Sequence, residues 1–168
     1  MDQPLQIISF EIKGEEWTAC FSPEGLMRLW FPGQFQSIEV APCGPEESKN
    51  FKAHANLTKT WLKAYLSGKS SDNLPKPTLD LKQGTVFQQK IWKTLQKIPF
   101  GKTKSYGEIA KSIKNPKAVR AAGGACGANP VPLIIPCHRV LAANGKLGGF
   151  SGGLAWKKRL LAMEGITV

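Results

Sequence analysis

The chain has 168 residues, 42% of them hydrophobic, and a formal net charge of +11, which is enough apolar material for one full domain or one with a small companion. No apolar run approaches the roughly 18 residues of a membrane helix, and the opening "MDQPLQIISFEIKGEEW" has no basic segment leading into an apolar block, so a soluble, cytoplasmic chain without span or signal peptide is expected. Cys20, Cys43, Cys126 and Cys137 form no C-x-x-C pair and only His54 and His138 accompany them, so neither a zinc site nor a disulfide framework is expected, and no metal or cofactor.

"LQIISFEI", "WTACFS" and "LMRLWF" are short β-rich runs separated by "KGEE" and "PEG", the pattern of an antiparallel meander. After a loop containing Pro and Gly, "NFKAHANLTKTWLKAYLSG" places Leu57, Trp61 and Tyr65 four residues apart with Gly68 behind them, which predicts a helix and its stop. "SGKSSDNLPKPT" then has the composition of a linker. The expected fold is α+β. Residues 1–78 form an N-terminal antiparallel sheet with a helix, and residues 79–168 form a mostly helical C-terminal domain.

In "TVFQQKIWKTLQKI", Thr85 and Gln88 fit a capping box, with Phe87, Ile91, Leu95 and Ile98 on one apolar stripe. "SYGEIAKSI" repeats the signature with Ser105 and Glu108. "NPKAVRAAGGACGAN" restarts after a turn, with Asn115 as the expected cap and Pro116 at the first helical position. Two short helices joined by a tight turn predict a helix-turn-helix. The second is almost bare of side-chain bulk, with Arg120 its one long charged group. Such a helix can pack closely against a neighbour, or it can press its backbone into a narrow groove such as the minor groove of DNA while Arg120 reaches farther in. Charge favours the second use. From Leu81 onward 15 Lys or Arg face only Glu108 and Glu164, a balance of +13, whereas residues 1–80 hold 8 against 10, a balance of −2. A half so depleted of acids suits a polyanionic partner.

"LIIPCHRVLAANG" leads an apolar run through Pro136 into Cys137 and His138. In an extended strand the two side chains would point apart, so the imidazole would have to draw the thiol proton through a water or across a turn. A buried inert thiol is the competing reading. A histidine base works better when its far nitrogen is held by a carboxylate. Glu108 is committed to its cap, which leaves Glu164 near the end of "LAWKKRLLAME", where the helix dipole disfavours a negative charge unless it has a specific partner.

"GTVFQQKIWKTLQKIPFGKTKSYGEIA", "AVRAAGGACGANPVPLIIPCHRV" and "GGFSGGLAWKKRLLAMEG" resemble the C-terminal domain of the O6-alkylguanine-DNA alkyltransferases, the methylated-DNA–protein-cysteine methyltransferases, almost continuously from Gly84 to Gly165. The resemblance implies a DNA repair protein that flips O6-alkylguanine out of the duplex and takes its alkyl group once, irreversibly. In that likeness Cys137 accepts the alkyl group, His138 deprotonates it through water and Glu164 orients His138. Tyr106 donates to the departing guanine, and Asn129 holds the turn between the recognition helix and the active-site strand. Arg120 fills the gap left by the extruded nucleotide. Tyr106 and the slim helix, through Ala118, Val119, Ala121 and Gly123, meet the DNA, and Pro132, Val140, Ser151 and Gly152 line the base pocket. The implied partner is double-stranded DNA containing O6-alkylguanine, met by a monomer with no obligatory protein partner. Gly127 stands where some relatives carry a basic residue and Phe150 where others carry tyrosine. Three rivals predict different behaviour. Non-catalytic lesion binders of similar fold lack the acceptor cysteine, a Cys–His hydrolase would turn over repeatedly, and a plain helix-turn-helix regulator would need more base-reading side chains than Arg120.

Overall fold

Strands β1 (Gln6–Ile12), β2 (Glu15–Ser22) and β3 (Gly25–Trp30) pair antiparallel in the order β1-β2-β3 in the computed structural model, which describes residues 4–39 and 45–168. Cys43 and part of the loop that contains it lie outside the described residues. Lys13 and Gly14 join the first two strands with φ of 53° and 76°, the left-handed pair that suits the twist of a two-residue hairpin. At the second turn, a Cβ on Gly25 would come within 2.5 Å of the Thr78 carbonyl oxygen, so only glycine fits.

That close approach exists because the linker returns to the sheet. Leu26 N donates to Thr78 O at 2.9 Å, Asp80 N donates to Leu26 O at 3.0 Å, and Ser22 Oγ donates to Asp80 Oδ2 at 2.7 Å. The chain through Leu81 therefore packs with the first unit, and the second unit spans Lys82–Val168. The sequence reading placed that seam three residues earlier.

Helix α1 (Pro45–Leu66) lies on the sheet through Phe51, Ala55, Thr58, Trp61, Leu62 and Tyr65. Leu57, expected on that face, is only half-buried. Thr58 is buried in its stead, its hydroxyl donating to His54 O at 2.8 Å. Gly68, at φ 83°, ends the helix as expected. Its N–H donates to Tyr65 O and that of Lys69 to Ala64 O, the paired closure of a Schellman cap.

The second unit holds α2 (Val86–Leu95), α3 (Tyr106–Ser112), α4 (Val119–Gly127) and α5 (Leu154–Met163), with two short strands, β4 (Lys104–Ser105) and β5 (Val140–Leu141), paired in parallel. Both expected capping boxes are present. Thr85 and Gln88 exchange bonds of 3.2 and 2.9 Å, and Ser105 and Glu108 bonds of 3.2 and 2.7 Å. The helix-turn-helix is formed by α3 and α4, but α4 starts later than Asn115 and Pro116 imply, with Ala118 at its N-cap and no side-chain cap bond. The reason lies in the helix before it. Lys114 takes φ 61°, Asn115 N donates to Ala110 O and Lys114 N to Lys111 O, so Asn115 serves the Schellman end of α3 and a further turn intervenes. Uncapped and rich in glycine, α4 relies on packing. Ala122, Ala125 and Cys126 are buried, and Trp92 Nε1 of α2 donates to Ala125 O at 2.8 Å. Among the described residues no helix is long and apolar enough to cross a membrane.

Candidate active site

Cys137 opens a 3₁₀ turn, Cys137–Arg139, instead of standing in a strand. The segment before it folds back on itself. Leu133, fully packed, adopts φ 71°, a conformation that strains a branched residue by about 1–3 kcal/mol. Asn129 holds that arrangement from the end of α4. Its Oδ1 accepts from Val131 N at 3.0 Å, and its Nδ2 donates to Ile135 O at 2.8 Å and to Cys137 Sγ at 3.0 Å. The side chain expected to hold the turn thus also touches the thiol.

The 3₁₀ turn sends successive side chains to different environments. Cys137, 4% exposed, faces a cavity of about 350 Å³. His138, fully buried, turns to Glu164 at the C-cap of α5, with Nε2 and Oε1 2.9 Å apart. Facing a carboxylate, Nε2 carries the proton and Nδ1 the lone pair. Arg139, to which the sequence assigned no role, is buried beside them. Its Nε lies 3.1 and 2.9 Å from the two Glu164 oxygens, its Nη2 donates to Oε1 at 2.9 Å and its Nη1 to Ile98 O at 2.6 Å. Gly101 N adds a bond of 3.0 Å to Oε2. The specific partners that a carboxylate at a helix C-terminus requires are therefore His138 and Arg139.

The protonation states follow from burial. Desolvation pushes the Cys137 thiol up to about 11, against the lowering effects of the Asn129 hydrogen bond and the Lys157 charge. Desolvation also lowers His138, although Glu164 opposes it. The resting pair is therefore a neutral thiol and a neutral imidazole, the latter able to accept a proton.

The parallel pairing of β4 with β5 sets Tyr106, first residue of α3, beside this turn. Its ring is half-buried against Gly123 of α4 and Gly148, where an added Cβ would come within 3.8 and 3.3 Å of it. Burial raises its hydroxyl pKa, so the phenol stays a donor at neutral pH. Tyr106 and Gly123 line the cavity with Cys137; Cys126 and Gly127 add to its α4 wall, and Gly149, Phe150 and Ser151 form the opposite side. Of the pocket residues expected from sequence, Ser151 is on the cavity surface, whereas Pro132, Val140 and Gly152 are buried and do not line it. Cys126 is buried but reaches the cavity; burial holds its thiol at about 12.

Away from the cavity, Val119, Arg120, Ala121 and Gly124 of α4 are exposed and Ala118 is half-buried; on the cavity side Gly127 is exposed and Gly123 half-buried. The helix that presents Arg120 to solvent is therefore the one whose inner residues wall the cavity.

Residues 86–166 match the family model described as the DNA binding domain of 6-O-methylguanine DNA methyltransferase. Over 144 residues the chain is 53% identical to a methylated-DNA–protein-cysteine methyltransferase of Methanosarcina mazei, covering 84% of this chain and 85% of that protein. It is 44% identical to the protein of the same name from Methanosarcina acetivorans, covering 84% and 86%. Its fold is similar to that of a Mycobacterium tuberculosis protein, OGT, crystallised in complex with DNA, with a TM-score of 0.75 and 37% identity across 95% of this chain and 91% of the other.

Proposed function

Because the chain belongs to the methylated-DNA–protein-cysteine methyltransferase family, we propose that it repairs O6-alkylguanine in duplex DNA by transferring the alkyl group, once and irreversibly, to its own Cys137. The observation that carries this reading is a thiol and a carboxylate-bound neutral imidazole, adjacent in one turn, with the thiol in a cavity walled by the recognition helix.

The chemistry runs from these residues. His138 takes the Cys137 proton through a water, and Glu164 stabilises the imidazolium that forms. The thiolate, a soft nucleophile, attacks the saturated alkyl carbon. As the C–S bond forms, the C–O bond breaks and its electron pair goes to guanine O6, while Tyr106 donates a hydrogen bond to the departing base. The product is a thioether, which offers no carbonyl to water, so the acceptor is consumed. No cofactor enters this sequence.

The target carbon is hidden in stacked duplex, and extruding the base costs a few kcal/mol. Arg120 fills the vacated space, and Ala118, Val119, Ala121 and Gly123 bring α4 against the minor groove. Asn129 presents the thiol and Ser151 contacts the flipped base. Pro132, Val140 and Gly152 shape the pocket from behind. Residues 1–78 act as a support for the DNA-binding and alkyltransferase domain formed by residues 79–168. The protein works as a monomer with no obligatory protein partner, in the reducing cytoplasm, which keeps the acceptor thiol available.

Duplex carrying O6-methylguanine with a radiolabelled methyl group should leave label on the protein up to a plateau of one per chain, located by mass spectrometry on the Cys137 peptide. Continued turnover past that plateau rejects the reading. Arg120→Ala should react with free O6-methylguanine base as the wild type does yet repair duplex on the order of 10–100-fold more slowly, the worth of a few kcal/mol of extrusion energy. Equal loss on base and duplex removes Arg120 from that role.

A further inference from the structure

Lys157 is a charge in an expensive place. It lies in the first turn of α5, its residue fully buried, where the helix dipole opposes a cation and removal from water costs several kcal/mol. Among the described residues its Nζ donates to two carbonyls, Val140 O at 2.7 Å and Leu147 O. The first belongs to the residue that closes the Cys137 turn, since Val140 N–H donates to Cys137 O. The second belongs to the strip that continues through Gly148 and Gly149 to Phe150 and Ser151 on the cavity wall. Peptide carbonyls offset part of the desolvation but supply no opposite charge.

We propose that Lys157 is a positioning residue whose ammonium, anchored between the nucleophile's turn and the opposite cavity wall, supplies the counter-charge to the Cys137 thiolate as it forms. This rests on the alkyl-transfer reading above and deepens it. The cation is unmatched while the thiol is neutral and becomes matched when His138 removes the proton, so its stabilisation is specific to the reacting state and already in place. The other titratable and charged groups around Cys137 are Cys126 from α4, Tyr106 from α3, and His138 with Arg139 and Glu164 at the turn and the end of α5. Electrostatics agree with the geometry. Burial lowers the pKa of Lys157 while the two thiols Cys137 and Cys126 raise it, and the Lys157 charge in turn lowers that of Cys137.

The test is the pH dependence of single-turnover methyl transfer from free O6-methylguanine base. Lys157→Gln keeps N–H donors for the two carbonyls but loses the charge, and Lys157→Met loses both. Both variants should reach one methyl group per chain, roughly tenfold more slowly at neutral pH, with the midpoint of the profile moved up by about one unit. A Lys157→Gln profile with the wild-type midpoint, whatever its rate, overturns the proposal and leaves Lys157 an anchor only. If neither variant folds, the Cε resonance of Lys157 followed by NMR across the alkaline range decides. Wild type should show an inflection from thiolate formation that is absent in Cys137→Ser, and identical curves overturn the proposal. A wild-type chain that accepts no methyl group at all would reject the alkyl-transfer function itself, a different result from either of these.

Discussion

A Cys137→Ala chain is expected to take no label from O6-methylguanine duplex while still binding it. The substitution removes one sulfur from a cavity whose other walls are supplied by different residues, so the binding surface survives. Cys126 is the competitor that makes the experiment informative, because its thiol opens on the same cavity. It lacks what Cys137 has. The Asn129 side chain donates to the Cys137 sulfur, Cys126 lies outside the Cys137–Arg139 turn that carries His138, and burial holds its pKa at about 12. Scintillation counting of the variant after exhaustive incubation, with mass spectrometry of the Cys126 peptide, checks both points. Label on Cys126 at the wild-type rate would mean that the His138–Glu164 pair does not select the acceptor.

The second large effect concerns stability. Arg139→Met is expected to destabilise the fold by about 3–5 kcal/mol, because it strips the guanidinium from a carboxylate whose side chain is wholly buried. The midpoint of urea unfolding reads this directly. Adding Glu164→Leu to Arg139→Met should recover part of the loss, since two neutral side chains leave no orphaned charge. The single variant should also raise the pKa of His138, which the Arg139 charge now helps to hold down. A loss below about 1 kcal/mol would place Arg139 among ordinary surface ion pairs, against its near-complete burial.

What the sequence made legible was local or chemically distinctive. Both capping boxes, the Lys13–Gly14 hairpin region, the stop at Gly68 and the helix-turn-helix depend on residues within a few positions of one another. Cys137, His138, Glu164, Asn129 and Tyr106, singled out by the motif resemblance, stand around one turn and its cavity. The misreadings share a different cause. Asn115 and Pro116 carry a proper helix-start signal, but the Schellman end of α3 claims Asn115 first, a competition between neighbouring elements that neither pattern shows alone. Arg139 and Lys157 entered the sequence argument only through the positive balance of the second half, because a charged residue among other charges carries no mark of burial. Only the tertiary arrangement, which places Glu164 25 residues beyond Arg139 and Leu147 O within reach of Lys157, identifies them as interior groups. Pro132, Val140 and Gly152 lie close in sequence to cavity residues, yet all three are buried and off the cavity surface.

The seclusion of Cys137 has a bearing on survival before use. Burial pushes its pKa up to about 11, so the neutral thiol predominates at pH 7. Passing electrophiles and oxidants thus meet a sulfur that is enclosed and uncharged. A protein whose working group can be spent a single time gains from a group that is kept neutral and enclosed until it is used.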